Sequence, residues 1–117
     1  LTGHGLDVAW SGHHAIVTMP EEIDLVNSAG VREQLVAVVG QSPDVITIDM
    51  TSTMFCDSTG IRVLARVREL AAAGGSEMRI AVGRSPVARI LQLTGLDQFM
   101  PTYRDVQQSL DTPRDRA

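Results

Sequence analysis

The run Val45-Ile46-Thr47-Ile48-Asp49-Met50 constrains the fold more than any other segment of this chain. It is rich in β-branched residues and apolar on both faces, as a strand covered on both sides must be. We therefore expect it to be the central strand of a sheet with helices packed against it. The flanking segments fit that frame. Leu6, Val8 and Trp10 alternate along one face, and after Ser11-Gly12 the run Ala15-Ile16-Val17-Thr18-Met19 returns, which is a hairpin signal closed by Pro20. From Leu25 to Gly40 the residues Val31, Leu35, Val38 and Val39 recur at helical spacing, with Asp24 expected to cap.

Beyond the central strand, Ile61, Leu64, Val67 and Ala71 give a helical stripe from Ser58 to Ala73, ended by Gly74-Gly75. Met78 to Val82 reads as a strand, and Ser85-Pro86 opens a helix that Gly95 ends. A short extended piece is expected around Phe99 and Met100, then a last helix from Tyr103 to Leu110 and a frayed polar tail. Strands separated by helices run parallel by crossover, so the expected fold class is α/β with a mixed four- to five-stranded sheet and about four helices.

Composition narrows the chemistry. At 117 residues and 44% hydrophobic content, the expectation is one domain over residues 1–117, with its core at about 5–110 and a tail at 111–117. A chain of this size buries roughly two thirds of its unfolded surface, enough to fold without staples. The single Cys56 excludes an internal disulfide and a multi-cysteine metal cluster. The His13-His14 pair lies at a hairpin turn with no third ligand nearby in sequence, so both are read as solvated turn residues and no metal is expected. A net charge of -4 and 3% aromatic content argue against a nucleic-acid groove. No apolar run approaches the roughly 20 residues needed to span a bilayer, and no signal pattern opens the chain, so a cytoplasmic protein without membrane contact is expected. There is no Gly-rich phosphate loop, and no cofactor is expected.

The junction Phe55-Cys56-Asp57-Ser58-Thr59-Gly60 sits where a strand gives way to a helix. A helix start leaves N–H groups unpaired and favours anions by about 0.3–1 kcal/mol, so a phosphate suits it. Asp, Ser and Thr are also the ordinary capping residues, and Gly60 in that reading only relaxes the turn. An enzymatic reading uses the same loop: Cys56, five intervening residues and Arg62 match the spacing of cysteine-dependent phosphatases. Phe55, Val63 and the carboxylate of Asp57 all speak against it, and Cys56 then reads as a small buried residue at a strand end.

A longer pattern resolves what the junction alone leaves open. Val45 to Met50, four residues, then Phe55-Cys56-Asp57-Ser58-Thr59-Gly60-Ile61 resembles the signature of bacterial anti-sigma-factor antagonists of the STAS family. Glu22-Ile23-Asp24, Gly74-Gly75 with the strand from Met78, Ser85 to Leu91, and Thr94-Gly95-Leu96 are similar to further landmarks of that family, in order. The resemblance implies a STAS-type fold and a partner-switching role without enzymatic activity. The unphosphorylated antagonist binds an anti-sigma factor that is also a serine kinase, freeing the sigma factor; phosphorylation breaks the complex, and a phosphatase resets it. The implied phosphoacceptor is Ser58, with Thr59 second, and the implied partner surface holds Glu22, Asp24, Asp57, Ser58, Thr59, Gly60 and Arg62. An interaction module of another regulatory assembly is the alternative within the fold. Arg62, Arg66 and Arg68 give the helix a cationic flank, either solvated or turned to an acidic partner. Cys56, where relatives carry an aliphatic residue, is a redox candidate or a buried spectator. Self-association is left open between monomer and weak dimer.

Overall fold

The computed structural model describes residues 5–114. The strands are β1 (Asp7–Ser11), β2 (His14–Thr18), β3 (Glu22–Ile23), β4 (Val45–Asp49), β5 (Phe55–Cys56), β6 (Glu77–Ala81) and β7 (Thr102–Tyr103); the helices are α1 (Ser28–Val39), α2 (Ser58–Ala73), α3 (Val87–Thr94) and α4 (Val106–Asp111). Five strands form one sheet in the order β1-β2-β4-β6-β7, which puts β4 at its centre. Only β1 and β2 pair antiparallel; β2–β4, β4–β6 and β6–β7 are parallel because a helix crosses over between each pair. The expected mixed α/β sheet with four helices is therefore the fold observed.

The two faces of the sheet differ. Ala15, Val17, Ile46, Ile48, Met78 and Ile80 share one face with the buried stripes of α1 (Val31, Leu35, Val38), α2 (Leu64, Val67, Ala71) and α3 (Val87, Leu91). Each such large side chain contributes about 1.5–3 kcal/mol relative to exposure. On the other face α4 closes over a polar layer. Thr47 bonds Ser109 at 2.8 Å and His14 Nε2 at 2.6 Å, while the Arg79 side chain, 1% exposed, pairs with Glu77 at 2.9 Å and donates to the carbonyls of Ser109, Thr112 and Pro113. A buried guanidinium with these acceptors is satisfied, and it ties the end of the chain to the sheet. The start of the polar tail is thus anchored rather than frayed; residues 115–117 lie outside the described residues. His14 likewise is no solvated turn residue but part of β2, and burial, then the Arg79 charge, lowers its pKa. His13 is exposed in the turn, as expected.

Local boundaries shift in three places. Helix α1 begins at Ser28, not directly after Asp24. The Asp24 carboxylate instead accepts from the Val26 and Asn27 N–H groups, an Asx turn that leads into the helix. Phe99 and Met100 close a 3-10 turn at Leu96–Gln98, and the last strand is Thr102–Tyr103. The last helix starts at Val106 under an Asp105 cap. The short pair β3–β5, a separate parallel ladder, has no counterpart in the periodicity. Among the described residues no helix is long and apolar enough to cross a membrane.

Candidate functional site

The ladder between β3 and β5 builds the site. Its register sets Glu22 beside Phe55 and Ile23 beside Cys56; alternation turns the first pair out to solvent and the second pair into the core. Helix α2 starts immediately afterwards, and Gly60 in its first turn lies close against this ladder. A Cβ at Gly60 would stand 2.5 Å from Cys56 Sγ and 2.8 Å from Ile23 Cγ2, so only glycine lets α2 approach. Gly60 is buried, and its part in the surface is indirect: it sets how close α2 lies, rather than relaxing a turn.

Asp57 clamps the junction. Oδ1 of its carboxylate accepts from the Thr59 hydroxyl at 2.5 Å, the Thr59 N–H at 2.9 Å and the Gly60 N–H at 3.2 Å; Oδ2 accepts from the Leu25 N–H at 3.2 Å. One side chain therefore caps α2 and holds the loop before α1 against it. The Thr59 hydroxyl and the backbone donors hold the Asp57 carboxyl below the usual carboxylate range. Asp24 and Asn27 brace the same loop, with the Asn27 amide donating to the Glu22 carbonyl at 2.7 Å.

Ser58 follows the cap. It is exposed, and its hydroxyl has no hydrogen-bond partner among the described residues. Thr59 is half-buried and its hydroxyl is committed to Asp57. Around this end lie residues that sequence reasoning passed over: Leu25 and Val26 are 75% and 93% exposed, and Met54 and Phe55 are exposed beside them in the paired segment. Apolar residues on a loop, outside any helical stripe, were the available signal. Glu22 is exposed, Asp24 half-buried, and Arg62 is exposed one helical turn beyond Ser58. Arg68 leaves the cationic flank to sit over the Phe99 ring at 5.6 Å, and Arg32 of α1 joins Arg62 and Arg66 instead.

The cysteine chemistry finds no support in this geometry. Cys56 is 2% exposed and packs in the core, whereas Arg62 lies on the exposed face of α2. Burial, then the neighbouring Asp57 charge, pushes the thiol up to about 11, so the nucleophilic thiolate is scarce at neutral pH. Among the described residues no group of three or more His, Cys, Asp or Glu is placed to hold a metal ion.

Comparison with known proteins fits this arrangement. The family model of the STAS domain matches residues 6–109, nearly the whole chain. The chain belongs to the STAS domain family. The anti-sigma-F factor antagonist RsfB of Mycobacterium tuberculosis is 30% identical to it over 97 residues, covering 82% of this chain and 78% of its own. An anti-sigma F factor antagonist of Paenibacillus polymyxa is 32% identical over 95 residues, covering 78% of this chain and 81% of its own. The crystal structure of an anti-sigma factor antagonist from Mycobacterium paratuberculosis superposes with a TM-score of 0.85 at 27% identity, covering 94% of this chain and 93% of that one. This STAS domain thus shares its fold with a protein named as an anti-sigma factor antagonist.

Proposed function

We propose that this STAS domain is an anti-sigma-factor antagonist: unphosphorylated, it binds an anti-sigma factor that is also a serine kinase, releases the sigma factor, and is switched off by phosphorylation of Ser58. The observation that carries the proposal is the free, exposed Ser58 hydroxyl at the start of α2, set among the exposed Leu25, Val26, Met54 and Phe55. Exposed apolar side chains on the segments next to the junction give a protein partner area to bury. The relatives named for this role support the reading.

Phosphorylation adds about -1.5 to -2 charge. The Thr59 and Gly60 N–H groups that would otherwise absorb an anion already bind Asp57. The phosphate therefore adds to existing negative charge and stays directed at the partner, where its desolvation and the like charge of Asp57 oppose docking. The kinase supplies ATP, metal and proton acceptor, so the domain itself needs no catalytic base. Thr59 is the weaker acceptor because its hydroxyl must first leave Asp57. A phosphatase closes the cycle, and the role belongs in the cytoplasm, where sigma factors act.

Incubation with the anti-sigma kinase of the same genome and ATP, followed by mass spectrometric mapping, tests the acceptor. Phosphate on Ser58 is expected, and phosphate on neither Ser58 nor Thr59 overturns the assignment.

A further inference from the structure

Helices α1 and α2 pack side by side, and a groove of about 430 Å³ runs between them. Arg32 of α1 and Arg62 and Arg66 of α2 line it, over a floor that includes Ala29 and the buried Val63. No carboxylate lines this groove. Arg66 is joined to Glu69 at 3.3 Å on the surface, but Arg32 and Arg62 form no ion pair among the described residues. Three guanidinium groups thus gather on one groove in a chain of net charge -4.

We propose that the groove between α1 and α2 is a docking site for a carboxylate-bearing segment of the protein that binds the Ser58 surface. The inference rests on the proposed binding role and names the chemistry of the partner. Guanidinium groups on two helices offer planar forks that take carboxylates bidentately, and the apolar floor accepts the stem of a Glu side chain. Because Arg62 follows Ser58 by four residues, both lie on one face of α2, and Thr59, next to Ser58, lines the groove. A nucleic acid is a poor occupant. Its unbroken run of phosphates would lie against Glu22, Asp24 and Asp57 at the same end, whereas a short acidic segment stops within the groove.

Two measurements on the full chain test this. In a ¹⁵N-¹H NMR titration with acetylated hexaglutamate at low salt, shifts are expected at amides of residues 28–32 and 59–66. The shifts should fall at least about tenfold in the Arg32→Ala/Arg62→Ala variant and at high salt. No response at these amides, an unchanged response in the variant, or tighter binding of a single-stranded oligonucleotide overturns the groove as an acidic-segment site. The amide spectrum itself reports that the variant is folded. Binding of the anti-sigma kinase of the same genome is then compared for the native chain and the double variant, with about a tenfold or greater loss expected. Equal binding by both overturns the groove and spares the proposed function; no binding by the native chain overturns that function and the groove's occupant with it.

Discussion

Ser58 and Ser85 both stand at helix starts that follow strands of this fold, yet only one of them is available to a partner. Ser85, just before α3, is buried; its hydroxyl donates to the Thr53 carbonyl and accepts from the Val87 N–H at 3.1 Å. Ser58 is exposed, and a different side chain, Asp57, does the capping beside it. The difference teaches that a serine near a helix start is structural when its own hydroxyl is tied to the backbone, and free when a neighbouring side chain takes the capping bonds. The residue before each serine differs in the same sense: Asp57 supplies a capping carboxylate before Ser58, whereas Arg84 before Ser85 supplies no acceptor.

The largest effect that would break this comparison is electrostatic. Ser85→Asp places an unpaired carboxylate in a buried pocket and should cost about 3–5 kcal/mol or prevent folding, while Ser58→Glu should stay within about 0.5 kcal/mol of the native chain in urea unfolding. Similar costs at the two sites would remove the distinction.

Next comes the close approach that positions Ser58. Gly60→Ala drives a methyl into Cys56 Sγ and Ile23, and should destabilise by about 1–3 kcal/mol. Adding Cys56→Ala should recover part of that loss because the sulfur is the nearest obstacle. Strict additivity of the two changes in unfolding experiments would show that the contact does not set the helix position.

The smallest effect is a pH dependence. The Asp57 carboxyl titrates below its ordinary value in the folded protein because the Thr59 hydroxyl and the backbone N–H groups stabilise its charged form. A depressed folded value means that its contribution is complete above about pH 4, the unfolded range, and is lost as pH falls through the lowered value. Stability profiles of the native chain and Asp57→Asn should therefore converge in acid, draw apart as pH rises through the lowered folded value toward about pH 4, and run parallel above it. Profiles that stay parallel below about pH 4 as well would show that Asp57 is not the clamp.

Much of the architecture was legible because it rests on repetition. The alternation in β2, the two-sided apolarity of β4 and the stripes of α1 and α2 each run long enough to carry a period. The β3–β5 ladder has two residues on each side and carries none, and it is this ladder that arranges the site. The STAS family was legible through the longer pattern around Ser58. The roles of Gly60 and Arg79 were not, because each depends on atoms distant in sequence: Ile23 in one case, and the carbonyls of Ser109, Thr112 and Pro113 in the other. Asp24 was recognised as a helix-entry residue, but the helix start was placed about one turn too early, since an Asx turn and an N-cap use the same side-chain chemistry.

The most direct measurement is the affinity of the anti-sigma kinase for three forms of the chain: native, Ser58→Ala and stoichiometrically phosphorylated on Ser58. The account predicts that the native and alanine forms bind alike, because the free hydroxyl makes no structural bond, and that the phosphorylated form binds at least about tenfold more weakly, a change of about 1.4 kcal/mol. Equal binding by all three would contradict the switch at Ser58.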